Sequence, residues 1–441
     1  MTASARVGPA VWRAGIDEVL NRIAGRFGRV EVRHRVRAFV LGLLADLPRK
    51  NCWTIAEQVG DATPDGMQHL LARARWDTDG VAEDLRDYVV EHLGEPGAVL
   101  VIDETGDVKK GSRTVGVQRQ YTGTAGRIEN SQVAVYLAYS GGRGHALIDR
   151  ELYLPRSWTD DPNRCAAAGV PTAVGFATKP ALATAMLTRA LDAGVPAAWV
   201  AGDEVYGADP GLRAALETRQ IGYVLAIAGN RRLPTAAGPI RADVLAAALP
   251  GRAWQPLSAG PGAKGQRYYD WACLDLPAQQ QARSDAEGCG PGCWWLLIRR
   301  SRRTGELAFY RCHSPAPVRL IQLVAVAGRR WTVEESFQGG KGLAGLDEHQ
   351  VRHWLPWRRW TLLAMLAHAL LVVLAAGEHV AAAPPAGQIP LTCNELQRLL
   401  TRLVLDPARR PADPEAWSRW RRRHQYRSRA SHYRRQAAGL S

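Results

Sequence analysis

Residues 98–106 read AVLVIDETG and residues 196–207 read PAAWVAGDEVYG. In both, a run of branched or aromatic apolar residues ends in an acid followed by a turn. Continuous apolar runs of this length, without polar alternation, fit strands covered on both faces. The breaker cluster GEPG stands before the first. Before the second, residues 179–193 have the spacing of an amphipathic helix. After it come a helix over 212–219 and another apolar strand over 222–228. Strands alternating with helices predict an α/β core. Further strands are expected at 118–121, 132–139 and 146–153, and the first two would form an antiparallel meander with 98–106.

Asp103 and Asp203 close the two decisive strands. An acid at the end of a buried strand is costly unless something pairs with it, and such ends are where α/β sheets place ligands. Either residue alone also suits a turn or a helix cap. A third acid comes from residues 329–354, RRWTVEESFQGGKGLAGLDEHQVRHW. At about 100° per residue, Arg330, Glu334 and Lys341 fall within roughly 40° on one helix face. Glu335 points about 140° from Arg330. Gly339, Gly340 and Gly342 are the residues able to end that helix around Lys341.

The chain has 441 residues, with 46% hydrophobic and 22% charged, which excludes wholesale disorder. Its 57 Lys and Arg against 42 Asp and Glu give a net charge of +15, which predicts a polyanionic partner. Seven scattered cysteines argue against a disulfide framework and for a reducing cytosol. The first twenty residues lack the apolar core of a signal peptide. The apolar stretch 362–376 carries His368 and is shorter than the ~20 residues of a membrane span, so a buried helix is expected and nucleic acid is the expected partner.

Five regions follow from these shifts in texture. Residues 1–95 look helical, with pieces at 33–47, 53–59 and 67–74, and suit a DNA-binding head or any small bundle. Residues 96–241 carry the first part of the α/β core. Residues 242–311 are a β-rich insertion with strands at 267–274 and 294–300. Helical patterning marks the core's second part, 312–385. Residues 386–441 hold a helix near 394–405 and a basic tail. The tail from 408 onward has ten Arg and two acids. Arg421, Arg422 and Arg423 sit among Trp417, Trp420, Tyr426 and Tyr433, a mixture that neutralises phosphates and stacks on bases. A solubilising tail is the plainer alternative.

Several motifs carry less. GPGAKG (260–265) and GGKG (339–342) lack the Ser or Thr that follows GK in a phosphate loop. Cys289, Cys293, Cys312 and His313 are zinc-ligand types at a spacing that matches no common site. Trp294 and Trp295 read as core or rim of the insertion, with stacking on a flipped base as the second reading. Lys109, Lys110 and Arg113 read as a solvated turn or as phosphate contacts.

Taken together, VIDETGDVKKG, GVQRQYTGTAGRIENSQVAV, LYLPRSWTDDP, WVAGDEVYG, FYRCHSPAP and VEESFQGGKGLAGLDEHQVRHW resemble the bacterial insertion-sequence transposases of the DDE class. The likeness is to the branch marked by a tyrosine–arginine–glutamate–lysine signature. Arg330, Glu334 and Lys341 keep its spacing; Ala327 stands where the tyrosine belongs. The resemblance implies an RNase H-like core split by a β-insertion, with Asp103, Asp203 and Glu334 as catalytic acids and metal ligands. It implies two Mg²⁺ ions, replaceable by Mn²⁺, for in-line phosphoryl transfer. Arg330, Lys341, Lys109, Lys110 and Arg421–Arg423 would contact DNA. The implied partners are double-stranded DNA at terminal inverted repeats and at the target, with a homodimer on the DNA and a cytoplasmic, nucleoid-associated location. A non-cleaving DNA-binding repressor descended from such an enzyme is the alternative in a different class.

Overall fold

The structure, a computed structural model, describes residues 8–262, 265–277, 292–381, 388–408 and 412–438. Five helices come first: α1 (Pro9–Ala24), α2 (Val30–Leu44), α3 (Cys52–Gln58), α4 (Asp65–Ala72) and α5 (Thr78–Leu93). Pro9 opens α1, where a missing N–H costs nothing, and Asn51 begins α3 with a capping box closed by Thr54. The strands β1 (Val99–Val108), β2 (Gln118–Thr122), β3 (Arg127–Ser140) and β4 (His145–Leu152) follow. Next are two short helices, α6 (Arg156–Thr159) and α7 (Pro162–Ala167), and the longer α8 (Lys179–Asp192). The alternation continues through β5 (Trp199–Gly202), α9 (Glu204–Gly207), α10 (Pro210–Thr218) and β6 (Gly222–Ile227). A small hairpin, β7 (Arg232–Leu233) and β8 (Ile240–Arg241), leads to α11 (Ala242–Ala247). Then come β9 (Gln255–Gly262), β10 (Gly265–Leu276), β11 (Cys293–Arg300) and β12 (Leu307–Ser314). The last helices are α12 (Leu320–Arg329), α13 (Trp331–Ala344), α14 (Trp354–Ala381), α15 (Cys393–Leu400) and α16 (Pro414–Ala438).

The chain divides into two compact units, residues 85–338 and residues 1–84 with 339–441. The first unit is built on a ten-stranded mixed sheet in the order β2-β3-β1-β5-β6-β12-β11-β10-β9, with β4 also paired to β3. Among the described residues, only the β1–β5 and β5–β6 pairs are parallel. One expectation changes here. The sheet order sets β3 beside β1, so β2 pairs with β3 and never with β1. The strands of the expected insertion also continue the main sheet, since β12 pairs with β6. That region contains a helix, α11, and two strands, β9 and β12, beyond the two named from the sequence.

The second unit is helical and joins the two ends of the chain. Helix α14 is apolar on all sides and its residues Leu362–Ala376 are buried, as an all-round hydrophobic helix requires. It is 28 residues long, which is enough to cross a membrane by length and composition, yet its apolar window is 94% buried within the protein. Gln397 on α15 donates to the Leu44 and Leu343 carbonyls at 3.1 and 2.6 Å. The basic segment is largely one helix, α16, whose Trp417 is buried and donates to the Asp61 carbonyl at 2.8 Å.

Candidate active site

Parallel pairing brings the two aspartates together. In the β1–β5 register, Ile102 faces Gly202 as the last matched pair, so Asp103 and Asp203 emerge side by side, about one strand spacing of 4.8 Å apart. Asp203 then leaves the sheet as the N-cap of α9, and its Oδ1 accepts from the Val205 N–H at 2.9 Å. The capping role foreseen for a lone aspartate is real, and it occupies one oxygen of the two.

The third acid arrives from α13. Asp103 lies opposite Tyr136 in the β1–β3 register, and Phe337 sets its ring against Tyr136 edge to face at 5.4 Å. Glu334 lies one turn earlier on the same helix, and its charge acts on Asp103. Arg330 sits at the junction of α12 and α13 and donates Nη1 to Asp103 Oδ2 at 3.2 Å. Glu335 is committed elsewhere: its Oε2 meets His145 Nε2 at 3.2 Å, and that hydrogen bond holds its carboxyl below the usual range. His145 Nδ1 meets Ser336 Oγ at 2.8 Å. Glu335 is thus engaged with His145, while Glu334 acts on Asp103 through its charge.

Electrostatics set the character of the site. Asp103 is 6% exposed, and burial pushes its carboxyl up to about 8. Arg330 opposes that rise, while Asp203, Glu334 and Glu104 add to it. Asp203 is also raised, first by burial and then by Glu104. Mutually repelling, partly buried carboxylates form a hard oxygen donor set, which suits a divalent cation better than a thiol or imidazole set would.

Glu104 is a site residue that the sequence did not single out. Lys179 on α8 reaches its Oε1 at 2.6 Å and the buried Tyr206 hydroxyl donates to its Oε2 at 2.6 Å. Alternation along β1 turns it to the face opposite Asp103. The acid was visible, but its partners lie 75 and 102 residues away, and only the fold joins them.

The other predicted residues spread more widely. Lys341 is carried by the same helix as Glu334, because α13 runs through Gly339, Gly340 and Gly342 to Ala344; GGKG is helix, and no phosphate loop. Lys109 lies 3.7 Å from Asp107, and Lys110 is exposed. Arg421 pairs with Glu57 at 2.9 Å, whereas Arg422 and Arg423 are exposed. Trp294 and Trp295 are buried in the sheet and offer no open face to a base. Cys312 and His313 are consecutive in β12 and project from opposite faces, so they cannot share an ion. His313 instead stacks on Tyr223 at 5.4 Å. Cys289 and residues 263–264 of GPGAKG lie outside the described residues.

With this geometry in place, the family is clear. The chain belongs to the DDE superfamily endonucleases, whose family model matches residues 22–287, a span that contains both aspartates and stops short of Glu334. It is 28% identical over 218 residues to the probable transposase for insertion sequence element IS701 of Microchaete diplosiphon, 49% of this chain and 54% of that protein. The chain thus spans about half the length of the curated relative it matches. A solved structure, the piggyBac transposase synaptic complex with hairpin DNA, aligns over 94% of this chain and 84% of its own, at 11% identity and a TM-score of 0.40.

Proposed function

We propose that this protein is a DNA transposase that cuts the ends of its insertion sequence and joins them to target DNA. What supports this reading is that Asp203 and Glu334 both act electrostatically on the buried Asp103, which Arg330 meets at 3.2 Å, in a chain that belongs to a family of endonucleases. The core would be RNase H-like: an antiparallel β4-β3-β1 arm continued by parallel β5 and β6 supports that assignment. Residues 1–95 would bind DNA ends, and the basic C-terminal segment, through Arg422 and Arg423, would add phosphate contacts.

Asp103, Asp203 and Glu334 would hold Mg²⁺, with Mn²⁺ as a substitute. Bound there, the ions supply positive charge against the oxygens of a phosphate undergoing in-line displacement. The chain's own groups orient the substrate. Arg330 presents a guanidinium fork to a phosphate in exchange for its bond to Asp103, and Lys341 adds a point charge. Water attack at the element's end frees a 3′-hydroxyl, and that hydroxyl attacks target DNA by the same displacement. Two copies would act together on the paired ends.

The test incubates purified protein with DNA carrying the element's ends and Mg²⁺. Asp103→Ala, Asp203→Ala and Glu334→Ala are each expected to lose at least ~100-fold in cleavage rate, since each removes charge needed in the transition state. Glu335→Ala should cut at close to the wild-type rate. Full cleavage by any of the first three variants removes that residue from the site. Binding without cleavage by the wild type would support a repressor instead.

A further inference from the structure

The unit formed by residues 85–338 holds a second charged assembly, built of cations. Arg213 of α10, Asn230, Arg231 and Arg232 after β6, and Arg311 of β12 line a cavity of about 490 Å³. Arg213 and Arg311 are only 7% and 5% exposed. Arg213 Nη1 donates to the Gly207 carbonyl at 2.6 Å, Arg231 Nη2 to that of Ala208 at 3.3 Å, and Arg232 Nη1 to that of Pro239 at 3.3 Å. These carbonyls orient the guanidinium groups without neutralising them. The buried Nε of Arg311 has no hydrogen-bond partner. Among the described residues, none of the four arginines forms an ion pair with a carboxylate. Glu217, whose charge reaches Arg213, spends its Oε1 on the Tyr223 hydroxyl at 2.6 Å and on the Trp294 indole N–H at 3.3 Å. Burial, and then the charge of Arg311, lower the pKa of Arg213.

A buried cation without a counter-charge is among the costliest features a fold can carry. Two such groups, Arg213 and Arg311, converge on one cavity with the exposed Arg231 and Arg232 beside them, and together they call for an anion. Guanidinium forks match the paired oxygens of a phosphate, and a monocarboxylate would leave most of these donors unused. We propose that this cavity is an oxyanion site that takes a phosphate group, either a phosphodiester of bound DNA or free phosphate.

The sheet register sets this site apart from the acids. Ile102, Gly202, Leu225 and Arg311 form one row across β1, β5, β6 and β12. Arg311 therefore stands two strands from Gly202, roughly 10 Å along the row. It projects on the face where Gly207 of α9 packs against Leu225, while Asp103, one residue beyond Ile102, projects on the other face. The site rests on its own geometry; only the choice of DNA as the source draws on the function proposed above.

The test follows thermal unfolding of the full chain in inorganic phosphate against chloride of matched ionic strength. Phosphate should raise the wild-type Tm. Arg311→Gln should start at a higher Tm in phosphate-free buffer, because an uncompensated buried charge is gone, and phosphate should no longer move it. Equal phosphate shifts in both proteins, or none in the wild type, would overturn the proposal. Arg232→Gln, an exposed lining position, covers the case in which Arg311→Gln does not fold. It should weaken the apparent phosphate affinity roughly ten-fold, as expected for one charge-assisted contact, and an unchanged affinity rejects the site. Fluorescence anisotropy with a short labelled duplex then identifies the source. Competition by phosphate assigns the cavity to a DNA phosphate, and binding without competition assigns it to free phosphate. Failure of the duplex to bind at all would sink the proposed function and leave the phosphate shift standing.

Discussion

Asp103 is the buried acid on which Arg330, Asp203, Glu334 and Glu104 all act. Its carboxyl, ordinarily near 3.8, is pushed to about 8 chiefly by burial, so folding favours its protonated form. The sign follows by linkage: stability from this residue is intact below about pH 4, is lost as pH rises from there to about 8, and is level above. Asp103→Asn should therefore raise the Tm of the metal-free protein, by on the order of 5 °C at pH 9 and by less at pH 6. A scanning-calorimetry result with the gain larger at pH 6 contradicts this origin. A divalent ion that requires the carboxylate must also displace its proton. Calorimetric titration in buffers of different ionisation heat should show about one proton released per site near pH 6.5, and little release at pH 9. Asp103 and Asp203 were readable because each follows a continuous apolar run; Asp203 does leave the end of β5, whereas β1 continues past Asp103 to Val108, so Asp103 is a buried mid-strand acid and not a strand-end one. Glu104, their neighbour, was not, because what distinguishes it is the Lys179 and Tyr206 it meets after folding.

At the scale of elements, close backbone approach holds the site. Gly207 ends α9, and a Cβ there would lie 1.8 Å from the Ala226 carbonyl oxygen of β6. Gly328 in α12 would place its Cβ 1.9 Å from the Ala259 carbonyl oxygen of β9. Neither contact has a flexible side chain that can yield. Gly207→Ala and Gly328→Ala should each cost about 3 kcal/mol or more in urea unfolding. A loss near zero for Gly207→Ala would mean that α9, which Asp203 caps, does not pack this closely on β6. Helices and central strands could be read from periodicity and apolar runs: the expected helix at 179–193 is α8, within one residue. Sheet order was less legible, because pairing partners such as β6 and β12 are separated by a long stretch of chain whose own pattern is silent about its destination. Glycines misled locally. Gly339, Gly340 and Gly342 read as breakers, but packing carries α13 through them, with Gly339 lying where any Cβ would strike His368 at 2.5 Å.

For the molecule as a whole, the net charge of +15 gives a surface suited to a polyanion. Arg422 and Arg423 are exposed on α16, whereas Arg421 is engaged with Glu57. The double variant Arg422→Ala/Arg423→Ala should lower the slope of log affinity for duplex DNA against log salt by roughly 2. Arg421→Ala should change that slope less, because its charge is already partly met within the protein. The partition into a sheet-based unit and a helical unit that gathers both chain ends was hidden in the sequence, since it depends on contacts such as Trp417 with Asp61 that no local pattern encodes. The proposed activity requires that Asp103, Asp203 and Glu334 share a divalent ion. The direct measurement is Mn²⁺ titration of the wild type, Glu334→Gln and Glu335→Gln, followed by the loss of free-ion EPR signal. Glu334→Gln should weaken binding at least ~10-fold, as loss of one carboxylate ligand would, with Glu335→Gln unchanged. Equal binding by all three proteins, or weakening confined to Glu335→Gln, would contradict it.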